Sequence, residues 1–398
     1  MADLEGKRIV VGITGGIAAY KSAELVRLLR RVGADVRVVM TEHATHFMNP
    51  LTFQTLSGNG VITDMFSQPG ITLEHVSLGQ ESDLIAIAPA TANIAGKIAH
   101  GIGDDFLSTL ILAATCKVLL CPAMDKEMFQ NPIVQANLRS LKERGLIIME
   151  PEEGALASGA VGTGRLPDPS TIVEEITCIL TDRDLEGLKA LVTAGPTIEY
   201  IDPVRILTNR STGKMGYALA RAARRRGAEV TLVSGPTYLD QPKGIHTIHV
   251  NTAEEMREAV VANFKDKDVV IKAAAVSDYR PIKKAPHKEK KEKVSTSMEM
   301  EPTPDILAEL GKGKGGTLLV GFAAETIEHV ARAVEKIKKK NLDLIVLNDV
   351  SKDDRGFAVD SNEVRIIDKE GNEQQIPLMS KEAVADKILD RIKGLRAV

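Results

Sequence analysis

Apolar residues in the first half of the chain come in short runs separated by helical spacings. Arg8 to Ile13 is such a run and reads as a strand. Ile17 to Val32 carries the spacing of an amphipathic helix closed by Gly33, and Val36 to Met40 is a second strand. Strand, helix and strand joined by short loops predict a right-handed parallel crossover. Further strands are expected at Leu84 to Ala88, Lys117 to Cys121 and Ile147 to Met149, with a helix from Thr171 to Leu180. The pattern predicts a doubly wound sheet, whose ligands bind beyond the carboxyl ends of its strands.

The second half repeats the rhythm. Strands are expected at Leu191 to Thr193, Glu229 to Ser234, Asp268 to Ala275, Leu318 to Gly321 and Leu344 to Leu347. A helix over Thr252 to Phe264 has Thr252 as its cap and Glu255 at the capping-box position. Glu363 to Ile367 and Glu373 to Ile376 predict an antiparallel hairpin, followed by a final helix over Lys381 to Ile392. Between the halves, residues 151–170 are rich in Gly, Pro and small side chains, and residues 181–187 are short and charged. The latter stretch is the expected domain boundary.

Strand, glycine loop and helix meet in residues 191–220, LVTAGPTIEYIDPVRILTNRSTGKMGYALA. Such an order makes an anion cradle from free N–H groups at a helix start, with Arg205 and Lys214 adding positive charge. Neither the Gly-x-Gly-x-x-Gly fingerprint nor the P-loop spacing is met there. By pattern alone the stretch is either a phosphate or nucleotide loop or a glycine-rich tight turn.

At 398 residues the chain has room for about two domains. Its 51 basic and 54 acidic residues nearly cancel, which argues against bulk nucleic-acid binding. Three cysteines suggest no disulfide framework and a reducing compartment; Cys116 and Cys121 read as core thiols. The N-terminus lacks signal-peptide architecture, and no run approaches the ~18 apolar residues of a membrane span. A soluble cytoplasmic protein is expected.

The wording of residues 191–220 is more specific than its pattern. TAGPT, DPVR and STGKMG, with AAAVSDY, TPDIL, VGFAAET and KIKKKNLDLIVLNDVS further on, resemble phosphopantothenate–cysteine ligases over about residues 189–395. GITGGIAAYK, His75-Val76-Ser77-Leu78, APATANIAGKIAHGIGDDFLST and PAM-x3-MF resemble the flavin-containing cysteine decarboxylases over about residues 6–180. Together they point to the bifunctional decarboxylase–ligase family of coenzyme A biosynthesis. The implied fold is α/β: two doubly wound, Rossmann-like, mostly parallel-sheet domains, the first flavodoxin-like. The implied domains are an FMN-dependent decarboxylase over residues 1–182 and a CTP-dependent ligase over 188–398.

For the first domain the resemblance implies FMN near Gly15, Thr41, Thr91, Asn93 and Lys97, with His75 as catalytic base. It implies thiol oxidation, loss of carbon dioxide and reduction of the resulting enethiol. Two positions depart from the family. Asp125 stands where asparagine is common, and an ionised aspartate there would repel a substrate carboxylate, so it must be protonated, turned away or compensated. Ser158 stands where bacterial members carry a proton-donating cysteine, and a hydroxyl is a far weaker acid.

For the second domain it implies that Asp278 and Lys288 meet CTP, that Pro304, Asp305, Ile306 and Leu307 frame the base with Phe322 beside it, and that Lys336 and Lys340 reach the phosphates. Arg205 and Asn209 would hold the acyl-cytidylate, and Ala275 would line the phosphopantothenate site. Lys288 belongs to the run KKAPHKEKKEK, where Lys290 or Lys291 would serve as well, or which is simply a solvated loop. Magnesium is expected on the triphosphate, although no dedicated carboxylate cage is legible. Homo-oligomers are implied, with decarboxylase sites between subunits and the KMG segment in ligase dimerisation. The competing expectations are a ligase with a flavin-binding but inactive first domain, and a non-catalytic flavin-binding regulatory protein.

Overall fold

A computed structural model describes residues 4–65, 74–288, 297–325, 330–349 and 359–396. The chain forms two compact units, Met1–Thr181 and Asp182–Val398.

The first unit has six parallel strands: β1 (Arg8–Ile13), β2 (Asp35–Met40), β3 (Val61–Ile62), β4 (Leu84–Ala90), β5 (Lys117–Pro122) and β6 (Ile147–Ile148). Their order is β3-β2-β1-β4-β5-β6. Leaving out the two-residue β3 gives the flavodoxin-type order, with the crossover direction reversing between β1 and β4. The intervening helices are α1 (Ala19–Arg31), α2 (Glu42–Thr45), α3 (Pro50–Ser57), α4 (Glu74–Glu81), α5 (Ala92–His100), α6 (Phe106–Ala113), α7 (Lys126–Gln130) and α8 (Pro132–Glu143). Every residue of β4 is buried, as expected of a strand covered on both faces. Alternate residues separate to the two faces: Ile9, Val11 and Ile13 pack with α1, while Val10 joins Ile85 and Ile87 beneath α5 and α6. Each such side chain contributes about 1.5–3 kcal/mol by leaving water.

The glycine-rich segment 151–170 has secondary structure of its own. It is an antiparallel hairpin of β7 (Glu152–Ala155) and β8 (Val161–Arg165), followed by α9 (Pro169–Leu180). Gly164 adopts φ 154°, and a Cβ there would lie 2.2 Å from the Met124 carbonyl oxygen. Glycine therefore lets the hairpin base sit against the turn after β5, where Met124 N–H donates to the Gly164 carbonyl at 3.0 Å.

The second unit holds β9 (Lys189–Ala194), β10 (Ile198–Tyr200), β11 (Ile206–Thr208), α10 (Lys214–Arg225), β12 (Glu229–Ser234), β13 (His246–His249), α11 (Ala253–Asn263), β14 (Val269–Lys272), β15 (Tyr279–Pro281), β16 (Met300–Pro302), α12 (Ile306–Lys312), β17 (Leu318–Glu325), α13 (Val330–Lys340), β18 (Leu344–Asp349), β19 (Ser361–Asp368), β20 (Glu373–Ser380) and α14 (Lys381–Arg396). Its main sheet runs β13-β12-β9-β14-β17-β18-β19-β20. The strands from β13 to β18 are parallel, and β19 and β20 add an antiparallel edge. The direction of winding reverses between β9 and β14, and the second site opens there.

The expected strand Asp268 to Ala275 stops at Lys272. Beyond it the backbone pairs with the neighbouring turn: Ala274 N–H donates to Thr193 Oγ1 at 3.1 Å and Ala275 N–H to the Gly195 carbonyl at 2.9 Å. The expected cap of α11 is present, with Thr252 accepting from Glu255 N–H at 3.2 Å. The Glu255 carboxylate reaches past the cap residue to Asn251 N–H at 2.7 Å.

Candidate functional sites

In the first unit the ends of β1, β2 and β4 converge. Thr14 joins two of them, donating to the Pro89 carbonyl at 2.8 Å and accepting from Thr91 N–H at 3.1 Å. Thr91 caps α5, and Thr41 occupies the cap of α2 without a side-chain bond to it. The Thr41 hydroxyl is buried and has no hydrogen-bond partner among the described residues. Such a group is costly unless a ligand satisfies it. At Gly15 a Cβ would come within 2.4 Å of the His43 Cβ, so the backbone passes there only without a side chain. A close glycine turn beside an orphaned hydroxyl fits a phosphate group.

Lys97 does not face that hydroxyl as a free cation; it is paired with Asp104 at 2.7 Å and Asp105 at 2.8 Å. Burial alone would lower its pKa, but the two carboxylates outweigh this and raise it. Asp105 also closes a capping box on α6 with Ser108. The first residue of α6, Phe106, meets His75 edge-on with ring centroids 6.2 Å apart. His75 lies in the first turn of α4 and is half-buried. Asn93 is exposed on α5.

The two departures from the family pattern are bonded to each other. Ser158, at the tip of the β7–β8 hairpin, donates to Asp125 Oδ2 at 2.6 Å. The other Asp125 oxygen accepts from Glu127 N–H at 3.1 Å and caps α7. The Ser158 hydroxyl, with that N–H, holds the Asp125 carboxyl below its usual range. Of the three alternatives for Asp125 (protonated, turned away or compensated), the structure has the second: the carboxylate is turned to donors of its own unit.

In the second unit, a cleft of about 750 Å³ is lined by residues of β14, β17 and β18 and of the segment that follows β14. The start of α10 forms one wall, and a Cβ on Gly216 would meet the Thr193 carbonyl oxygen at 2.8 Å, which fixes glycine at that contact. Asn209, Ala275, Asp278 and Phe322 line the cleft, as do Pro304, Asp305, Ile306 and Leu307. The Asn209 amide donates to the carbonyls of Ala275 and Val276 at 3.0 and 3.2 Å. Lys336 and Lys340 share one face of α13 and also line it, with Lys340 bonded to Asp305 at 2.9 Å. Burial pushes the Asp305 carboxyl up, but Lys340, the Ala308 N–H and Lys272 outweigh it and bring it below its usual range.

Two expected residues are not among those lining the cleft. Arg205 pairs with buried Asp202 at 2.6 Å, and Lys288 is exposed. Lys290 and Lys291 lie outside the described residues. Conversely, the cleft contains groups that the sequence reading passed over. Ser277 Oγ, Asn348 Oδ1 and Asn362 Nδ2 line it, buried and without hydrogen-bond partners among the described residues. Lys272 and Lys381 line it as well. Burial, then repulsion from Lys214, pulls Lys381 down to about 8. A buried asparagine with one open amide atom has no periodic signature, which is why these were missed. Among the described residues no cluster of three or more His, Cys, Asp or Glu could hold a metal, and no helix is long and apolar enough to cross a membrane.

Comparison with known proteins separates the same two halves. Residues 1–181 match the flavoprotein family, and residues 185–395 match the DNA/pantothenate metabolism flavoprotein C-terminal domain. The coenzyme A biosynthesis bifunctional protein CoaBC of Bacillus subtilis is 48% identical over 400 residues, covering 98% of both chains. The chain belongs to the CoaBC family. The CoaBC protein of Escherichia coli K12 is 44% identical, with 98% of this chain and 97% of that protein covered. Among solved structures, the C-terminal domain of a CoaBC protein is 44% identical, covering 54% of this chain and 99% of that one at a TM-score of 0.47. A phosphopantothenoylcysteine decarboxylase mutant in complex with pantothenoylaminoethenethiol is 32% identical, covering 43% and 96% at a TM-score of 0.40. As a CoaBC family member the chain is a flavoprotein and a multifunctional enzyme of coenzyme A biosynthesis.

Proposed function

We infer that the chain ligates 4′-phosphopantothenate to cysteine with CTP in its second unit and decarboxylates the product to 4′-phosphopantetheine in its first. The observation that carries this is the presence of two separate strand-end sites in one chain that aligns end to end with bifunctional relatives. Residues 1–182 and 188–398 are accordingly a decarboxylase and a ligase domain.

In the ligase cleft the pantothenate carboxylate attacks the α-phosphorus of CTP and pyrophosphate leaves. The cysteine amine then attacks the acyl-cytidylate and CMP leaves. Positioning and charge stabilisation dominate such chemistry. Lys336 and Lys340 supply charge to the phosphates, and Pro304 to Leu307 with Phe322 hold the base. Asn209 and Ala275 face the acyl group. Asp278 meets CTP, and Lys288 and Arg205 act by closing toward the bound substrates. Magnesium, carried in with the triphosphate, would neutralise part of its charge.

In the first unit the cradle of Gly15, Thr41 and Thr91 fits the phosphate of FMN, with Asn93 and Lys97 bordering it. When bound, FMN supplies a two-electron oxidation and returns the pair later. His75 takes the proton from the cysteine end of the substrate, and Phe106 fixes its ring. Ser158, held by ionised Asp125, closes the hairpin over the substrate. The protein is a cytoplasmic homo-oligomer in this account. Carbon dioxide release from phosphopantothenoylcysteine, compared in wild type and His75→Asn, tests the assignment. Release that depends on His75 supports it; no release from wild type with flavin bound and ligation intact leaves a ligase alone.

A further inference from the structure

Lys272 is the last residue of β14, and its side chain lies on the same sheet face as Val270, toward α11, α12 and α13. A lysine there ends a strand that is otherwise wholly apolar. It lines the cleft floor beside the Lys340–Asp305 pair. The charged groups acting on it are Lys340 from α13, Asp305 from the cap of α12 and Asp278 from the segment after β14. Lys336 lies one turn before Lys340 on the same cleft wall.

Among the described residues, no hydrogen bond or ion pair engages the Lys272 ammonium. Its neighbour Lys340 is satisfied by Asp305, and Lys214 across the cleft by Asp360 at 2.6 Å. A half-buried cation without a partner is costly to maintain. A lysine relieves that cost by shedding its proton, and an arriving anion reverses it. We propose that Lys272 is a phosphate-binding residue of the ligase cleft, engaging a phosphoryl group of a bound substrate.

The proposal rests on the ligase reading and adds a group to it. Burial first, then repulsion from Lys340, pulls Lys272 down to about 8, against partial support from Asp305 and Asp278. Near pH 8 the empty cleft therefore holds this amine about half protonated. A phosphate beside it raises its affinity for a proton, so ligand binding takes up a fraction of a proton from solution. Lys381 also lines the cleft and is pulled down to about 8, so the share of the uptake that disappears in Lys272 variants is the share assigned to Lys272.

The test is calorimetric titration at pH 8 in two buffers of different ionisation enthalpy. CTP and 4′-phosphopantothenate are titrated separately into the full-length protein, which identifies whose phosphate is bound. Wild type is expected to take up about half a proton with one of them. Lys272→Met should lose the Lys272 share of that uptake and weaken the same ligand about 10- to 100-fold, the loss of a charge-assisted bond. Lys272→Arg should keep most of the affinity but remove the Lys272 share of the uptake, because guanidinium does not titrate there. This second variant decides the matter if the methionine variant does not fold. Unchanged uptake in Lys272→Arg, or unchanged affinity and uptake in a folded Lys272→Met, overturns the role of Lys272 alone. Wild-type protein that binds neither ligand overturns it together with the ligase reading.

Discussion

The two sites use the same topology for ligands of different charge. Each opens where its parallel sheet reverses winding, and each has a glycine whose missing side chain lets backbone come close: Gly15 in one, Gly216 in the other. Their electrostatics differ. In the first unit the nearby lysine, Lys97, is bound to two aspartates, and the open group is a neutral hydroxyl, that of Thr41. In the second, five lysines line one cleft, and two of them, Lys272 and Lys381, are pulled down to about 8 by burial and by neighbouring lysines. A single phosphate can be held by backbone and hydroxyl donors alone. A triphosphate passing charge to a leaving pyrophosphate needs fixed cations, and crowding them costs the empty protein.

The largest effect that would sharpen this contrast is functional separation. His75→Asn should lower carbon dioxide release at least ~100-fold, as expected for removing a general base, while CTP-dependent ligation stays within twofold. Equal loss of both activities would break the division between the sites. Next, Lys340→Ala leaves Asp305 without its partner at the cleft wall. CTP binding should weaken about 10- to 100-fold, and flavin content, read from the visible absorption spectrum, should not change.

Thr41→Val keeps the shape of the orphaned side chain and removes its hydroxyl. Flavin retention should fall about tenfold in equilibrium dialysis with ligation unaffected; undiminished retention would mean that the open hydroxyl serves no ligand. The smallest effect belongs to Ser158→Ala. The Ser158–Asp125 bond is exposed, so the change should alter hairpin mobility, read by amide exchange over residues 152–165, without measurable loss of global stability. Because the folded Asp125 carboxyl titrates below its ordinary range, the Ser158 contact is fully present at neutral pH. In wild type it is lost only as pH falls through that lowered value, so exchange in the hairpin should rise there, and in Ser158→Ala this step should vanish.

Much of this contrast was legible in the sequence, but unevenly. Apolar runs such as Arg8 to Ile13 and Glu229 to Ser234 are strands buried on both faces, so composition alone marks them. The cap at Thr252 was legible because a side chain bonding its own helix start is a local matter. The hairpin in residues 152–165 was not, because it depends on how Gly164 meets Met124 some forty residues earlier in the chain. The same holds for the site residues. Motif words pointed to Asp278, Lys336 and Lys340, yet Lys272 sits at the end of an apolar strand with nothing local to distinguish it. Asp125 and Ser158 each looked like a defect when read alone. Folding joins them into one hydrogen bond, so the two replacements are physically one change.

The most direct test of the account supplies purified protein with 4′-phosphopantothenate, cysteine, CTP, magnesium and FMN, and follows products by mass. Wild type should form 4′-phosphopantetheine, and His75→Asn should stop at phosphopantothenoylcysteine. Accumulation of that intermediate by wild type, with flavin bound, would contradict the claim that this one chain carries both reactions.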